Sequence, residues 1–271
     1  RTLEFQVPMV EGMTPGEFDH TKTAAKFVAK GLPPGLVIGA DGVIRGSATT
    51  AGTYSNITIT ASNAIAPPSV VTGLSIVVTD IDTNVIGDFT GPIARHPVLN
   101  GNLGGAVTLK TAKNGGYSGR LTMGTASYAF KGRLNVATTT NATTTITVKR
   151  SKLTSVRLTF ALSATTQTIT IGSVTDGVNS TTFTGWRNKW LKTKQVPNPA
   201  AEYAGYYTVG LNIQDGSSEV IPQGTGYASF TVNAGTGKLT VAGRLADGSA
   251  FTTATYVGPN GQVLVFRTLY A

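Results

Sequence analysis

The sequence predicts an all-β protein of two domains, a small N-terminal sandwich followed by a larger antiparallel barrel-like domain. Three observations carry that prediction. Apolar and polar residues alternate along many short segments. In "YSNITITAS", Ile57 and Ile59 share one face while Asn56, Thr58 and Thr60 share the other, the two-residue period of a half-buried strand. Asn-Gly, Asp-Gly, Gly-Gly and Pro-Pro pairs separate these segments and supply the positive or fixed φ that tight turns require. No stretch keeps apolar residues at helical spacing over three turns. A length of 271 residues exceeds the usual size of one domain.

The first domain is expected over residues 1–83, a length suited to a seven-strand sandwich. Its most legible passage is "GLPPGLVIGADGVIRGSATTAGTYSNITITASNA", residues 31–64. Pro33 and Pro34 stiffen the approach to a strand, and Asp41-Gly42 is expected to close a two-residue hairpin. Gly46 permits a corner, and Tyr54 can bury its ring while its hydroxyl reaches the backbone. "VTDIDTNVIGDF", residues 78–89, marks the break between domains.

This passage resembles the immunoglobulin-like domains of bacterial surface proteins, relatives of dystroglycan-type cadherin-like modules. The resemblance rests on Leu32, Pro33, Pro34, Gly35 and Leu36, then Gly42, Ile44 and Gly46, then Gly52 and Tyr54. It implies an Ig-like sandwich and no chemistry. Some cadherin-like relatives bind Ca²⁺ at module ends, so Glu11, Asp80 and Asp82 become candidate metal ligands. Asp80 and Asp82 read more readily as solvated linker charges, and Asn63 stands where relatives often carry Asp.

The second domain is expected over residues 84–271, in two similar halves of about 84–200 and 201–271. "GDFTGPI" (residues 87–93) matches "GYYTVGL" (205–211) in type, and "GGYSGRLTMGTASYAF" (115–130) matches "GKLTVAGRLADGSAF" (237–251). Gly119-Arg120-Leu121 then falls on Gly243-Arg244-Leu245. The hairpin of Gly243, Leu245, Asp247, Gly248 and Phe251 resembles a repeat near the C-termini of large exported bacterial proteins. Two half-barrels or two sheets around one core fit this duplication, and closure would remove aggregation-prone edges.

Composition narrows the chemistry. The absence of cysteine excludes disulfides, thiol catalysis and Cys-ligated metals. His20 and His96 are the only histidines and fall in different predicted domains. No Gly-x-Ser-x-Gly elbow or phosphate loop occurs. Asp41, Asp176, Asp215 and Asp247 each precede Gly, as turn residues do, and Glu202 and Glu219 have no recognisable partner. No catalytic residue is expected. No apolar run reaches the ~20 residues needed to span a bilayer.

The formal net charge is +9, from 22 basic against 13 acidic residues. Such a surplus fits a solubilising face or contact with an anionic polymer. No RNA- or DNA-reading motif accompanies the basic residues, so nucleic acid is not the expected partner. "FTGWRNKW" holds both tryptophans with Arg187 and Lys189 between them. On a strand, Trp186, Asn188 and Trp190 would share one face. Exposed, they would form a glycan-stacking site with the two cations; buried, they would plug the barrel core.

The expected protein is therefore a non-catalytic module of a bacterial extracellular or cell-surface protein, taken from a longer product whose other domains are further partners. Trp186, Arg187, Lys189 and Trp190 are the candidate contacts to a glycan or anionic envelope polymer, with the Ig-like domain as spacer and no cofactor beyond Ca²⁺. A self-assembling sheath, filament or layer subunit and the accessory domains of an exported hydrolase remain alternative readings.

Overall fold

The computed structural model describes residues 5–6, 26–63, 67–136, 141–212 and 223–267. Strands dominate, as expected, and the only α-helix among the described residues is the four-residue α1 (Pro97–Asn100). Among these residues no helix is long and apolar enough to cross a membrane.

Among the described residues the N-terminal region contributes six strands: β1 (Phe5–Gln6), β2 (Lys26–Lys30), β3 (Leu36–Ile38), β4 (Val43–Gly46), β5 (Gly52–Ser62) and β6 (Ser69–Val78). They form two three-stranded antiparallel sheets, ordered β1-β4-β3 and β2-β5-β6. Leu36, Ile44, Ala48, Ile57, Ile59 and Val78 make one buried cluster. The Tyr54 hydroxyl donates to the Thr50 carbonyl at 3.2 Å, fixing the corner that opens β5.

The β3–β4 turn is longer than the expected two residues. The Gly39 amide donates to the Val43 carbonyl at 2.9 Å, leaving Ala40, Asp41 and Gly42 in the loop with Gly42 at φ 77°. The cause is Asp41. Its carboxylate accepts from the Val43 amide at 3.2 Å and forks onto the Arg45 guanidinium at 2.8 and 2.6 Å. Arg45 and then the Val43 amide hold the carboxyl down at about 2, against an ordinary value of 3.8. Because the folded value is the lower one, the pair's contribution is complete above about pH 4 and disappears as pH falls through about 2. An NMR titration of the Asp41 carboxyl carbon is expected to show that low midpoint. Arg45→Ala should return it toward 3.8, and an unmoved midpoint would remove Arg45 as the cause.

The barrel uses β7 (Gly87–Ile93), β8 (Gly105–Thr111), β9 (Gly116–Met123), β10 (Ala126–Arg133), β11 (Asn135–Val136), β12 (Asn141–Arg150), β13 (Leu153–Ser163), β14 (Thr168–Thr175) and β15 (Ser180–Arg187). Their order is β10-β9-β8-β7-β15-β14-β13-β12-β11, all antiparallel. β10 and β11 are one path bent at the fully buried Leu134, so eight strands go round. β15 returns to β7 through Phe183↔Ile93, Trp186↔Thr90 and Arg187↔Phe89. Gly91 and Gly185 permit this approach, since a Cβ on Gly91 would collide with the Thr184 carbonyl oxygen. On the far side β11 pairs with β12, whereas β10 and β12 stay unpaired. The Tyr117 hydroxyl bridges that seam to Thr144 Oγ1 at 2.9 Å.

Eight strands enclose an interior just wide enough for side chains. Phe89, Tyr117, Phe130, Phe160 and Phe183 fill it together with Leu121, Leu158, Leu162 and Ile169. Ile81 and Val85 belong to the same cluster, so the barrel's packing begins just ahead of residue 84.

The remaining strands, β16 (Gly205–Leu211), β17 (Gly226–Val232), β18 (Lys238–Arg244) and β19 (Ala250–Tyr256), form a separate four-stranded meander. Its own core contains Trp190, Ala200, Val232, Leu239, Val241, Phe251 and Val257. The strands of the nearly closed barrel-like sheet all lie within residues 87–187, where β15 occupies the free edge of β7.

Candidate functional site

Outward positions on neighbouring barrel strands bring separated cations together. Across the sheet, Asp88 stands opposite Lys110, Lys110 opposite Ser118, and Ser118 opposite Lys131. In the adjoining row Thr108 faces Arg120. Lys149 approaches from β12 across the open seam, and Lys238 from the start of β18. These residues line a groove of about 1050 Å³ between the barrel and the C-terminal sheet, where five cations (Lys110, Arg120, Lys131, Lys149, Lys238) face one carboxylate, Asp88.

A second cavity of about 720 Å³ shares Asp88 and Lys238 with the first and adds Lys189, Lys192, Gln167 and Arg187. The two cavities adjoin at these shared residues along the junction. Their lining offers ammonium and guanidinium donors, Thr and Ser hydroxyls, and little that could transfer a proton at neutral pH. Chemically this arrangement holds anionic groups by charge-assisted hydrogen bonds.

The junction itself is built by the segment after β15. The Asn188 amide donates to the Asp88 carbonyl at 2.8 Å. The Tyr256 hydroxyl lies 3.2 Å from the carbonyl oxygens of both Asp88 and Trp186. Burial pushes the Tyr256 pKa far up, so the hydroxyl remains a donor at any ordinary pH.

The predicted contact residues land here with other duties. The strand ends at Arg187, so Trp186 and Trp190 do not share a strand face. Trp190 is buried in the C-terminal core, its Nε1 donating to the Val257 carbonyl at 2.6 Å and its ring edge-on to Tyr203. It therefore plugs the C-terminal sheet, not the barrel. Arg187 turns into the barrel mouth, is 5% exposed, and donates to the Ile86 carbonyl at 2.6 Å and Gln167 Oε1 at 2.8 Å. Burial pushes its pKa down, while Asp82 acts in the opposite direction. Trp186 is half-buried, and a Cβ on Gly258 would come within 2.9 Å of its ring. Lys189 sits 4.7 Å over the Trp190 ring and still lines the second cavity.

Other candidates separate. Glu11, His20, Asp215 and Glu219 lie outside the described residues. Asp82 Oδ1 accepts from the Asn84 amide at 2.7 Å, capping a 3₁₀ turn. Asp80 lies two residues before it, and among the described residues no three His, Asp or Glu side chains gather as a metal site. His96 caps α1, its Nδ1 accepting from the Val98 and Leu99 amides at 3.2 Å. Asp176 and Asp247 accept backbone amides of their own turns.

Sequence reasoning missed Lys110, Arg120 and Lys131, which lie far from one another in the chain. Their spacing of ten and eleven residues is one strand plus one turn, the signal that would have found them. In comparisons with known proteins, no family model, curated protein or solved structure matches the chain.

Proposed function

We propose that the protein is a non-catalytic binding module of a bacterial extracellular or cell-surface protein, and that its ligand is an anionic envelope polymer bearing phosphate or carboxylate groups. One observation carries the reading: the cleft gathers five cations against one carboxylate in a groove of about 1050 Å³. A solubilising surface would mix both signs. Here repulsion among the lysines is tolerated on one wall, which a bound polyanion would relieve. The N-terminal sheets serve in this reading as an Ig-like spacer, supported by the Tyr54 corner and the positive φ of Gly35 and Gly46.

Titration calorimetry with polyphosphate and with polygalacturonate at low and moderate salt tests the proposal. Binding is expected to weaken with rising salt as counterion release predicts. The triple variant Lys110→Gln/Lys131→Gln/Lys149→Gln should lose affinity at least about tenfold and show a shallower salt dependence. All three side chains leave the barrel wall outward, so the variant should keep its thermal transition. Equal affinity in the variant, or no binding to either polymer at low salt, would overturn the assignment. Preference for a nucleic acid of equal charge density would redirect it.

A further inference from the structure

Among the described residues, no strand pairs with the outer side of β16 in the C-terminal sheet. β16 is the outermost strand of the β16-β17-β18-β19 meander, and it is exposed along its whole length except for its two half-buried end residues. Edge strands of soluble proteins are normally protected by charge, proline or a bulge. The edge strand β2 follows that rule with Lys26 and Lys30 at its ends. β16 reads Gly-Tyr-Tyr-Thr-Val-Gly-Leu, without a charge or a proline, and its pairing with β17 is unbroken from Gly205↔Val232 to Leu211↔Gly226.

The strand is also self-complementary. Tyr206, Thr208 and Gly210 lie on the outer face; Tyr207 and Val209 lie on the inner face, opposite Phe230 and Ala228. Paired antiparallel with a second copy about a two-fold axis at Thr208, Tyr206 meets Gly210 of the other copy, Tyr207 meets Val209, and Thr208 meets itself. The sheet already uses the same side-chain logic. Gly210 stands opposite Tyr227, and Tyr207 stacks on Phe230 at 5.1 Å. A tyrosine over a glycine and an aromatic beside a β-branched residue are favourable cross-strand pairs. Tyr206 and Tyr227, 69% and 61% exposed, would be covered by the pairing.

From this pattern we propose that two copies of the chain associate through β16, forming a closed two-fold dimer with one continuous eight-stranded sheet across the interface. The pairing uses the β16 edge of each copy once, so it ends at two chains. It stands independently of the anionic cleft, and it would place two such clefts on one particle.

Sedimentation equilibrium of the full chain from about 1 to about 500 µM, a range that spans weak association, is the first measurement. The mass should rise from 28.0 kDa toward twice that value and stop. A monomer at the highest concentration, or growth beyond two chains, would overturn the proposal. Thr208→Lys sets two ammonium groups opposite each other and should abolish the dimer while leaving the circular dichroism spectrum unchanged. A second variant guards against misfolding. The chain has no native cysteine, and directly opposed residues on antiparallel strands lie within disulfide reach. Thr208→Cys should therefore oxidise rapidly to a covalent dimer, whereas Thr240→Cys, inside the sheet on β18, should not. Equal cross-linking rates for the two would dismiss the pairing.

Discussion

Replacing Trp190 by alanine is expected to destabilise the C-terminal sheet by about 3–5 kcal/mol, the usual cost of removing a buried tryptophan or phenylalanine. The ring supplies much of a small core. It packs with Val232, Leu239, Val241, Phe251 and Val257 and lies edge-on to Tyr203 at 5.6 Å. Its Nε1 hydrogen bond to the Val257 carbonyl, 2.6 Å long, leaves a buried acceptor unpaired when the indole goes. Since whole domains are stable by only ~5–15 kcal/mol, the sheet should unfold in an early, separate transition while the barrel retains its own. Trp186→Phe leaves Trp190 as the only tryptophan, so denaturant titration followed by its emission under tryptophan-selective excitation reports the sheet with Trp190 in place. In Trp190→Ala the sheet is followed by hydrogen exchange of the β17 and β18 amides. A loss below about 1 kcal/mol would contradict the burial of Trp190. Glycan stacking on this residue would instead leave stability nearly unchanged.

Phe160→Ala should weaken the barrel by a similar amount, about 3–5 kcal/mol. Phe160 is 1% exposed at the centre of β13 and meets the Tyr117 ring edge-on at 5.4 Å. The loss has two parts, the transfer of the ring to water and the void left among strands that hydrogen bonds hold in a nearly closed circle. Such a circle cannot collapse easily, so the void should persist. Benzene added to the variant is expected to recover part of the stability, as apolar cavities of this kind accept apolar ligands. Full retained stability would mean that Phe160 does not pack the interior.

Much of the architecture could be read from local chemistry. Alternation located the strands because each barrel wall has one wet and one dry face, as Val156, Leu158 and Phe160 show on β13. Asp41, Asp176 and Asp247 were legible as turn residues because each accepts a backbone amide two or three residues on. Three features were not local. Pairing of β15 with β7 joins residues about a hundred positions apart, so closure within residues 87–187 left no mark on any short window. The tryptophans looked available for a ligand because the surface that covers them comes from Val257 and Gly258, far along the chain. The cationic cleft was invisible as a charge run because strand order, not sequence proximity, assembles it.

The return of β15 to β7 has a further consequence. Arg187 pairs with Phe89, so the polypeptide enters and leaves the barrel within a strand spacing or two, ~5–10 Å. A unit with adjacent ends can be spliced into a host loop or have its termini rejoined elsewhere without stretching the fold. Such a cassette could be moved between unrelated carriers as a single piece, keeping its charged wall intact.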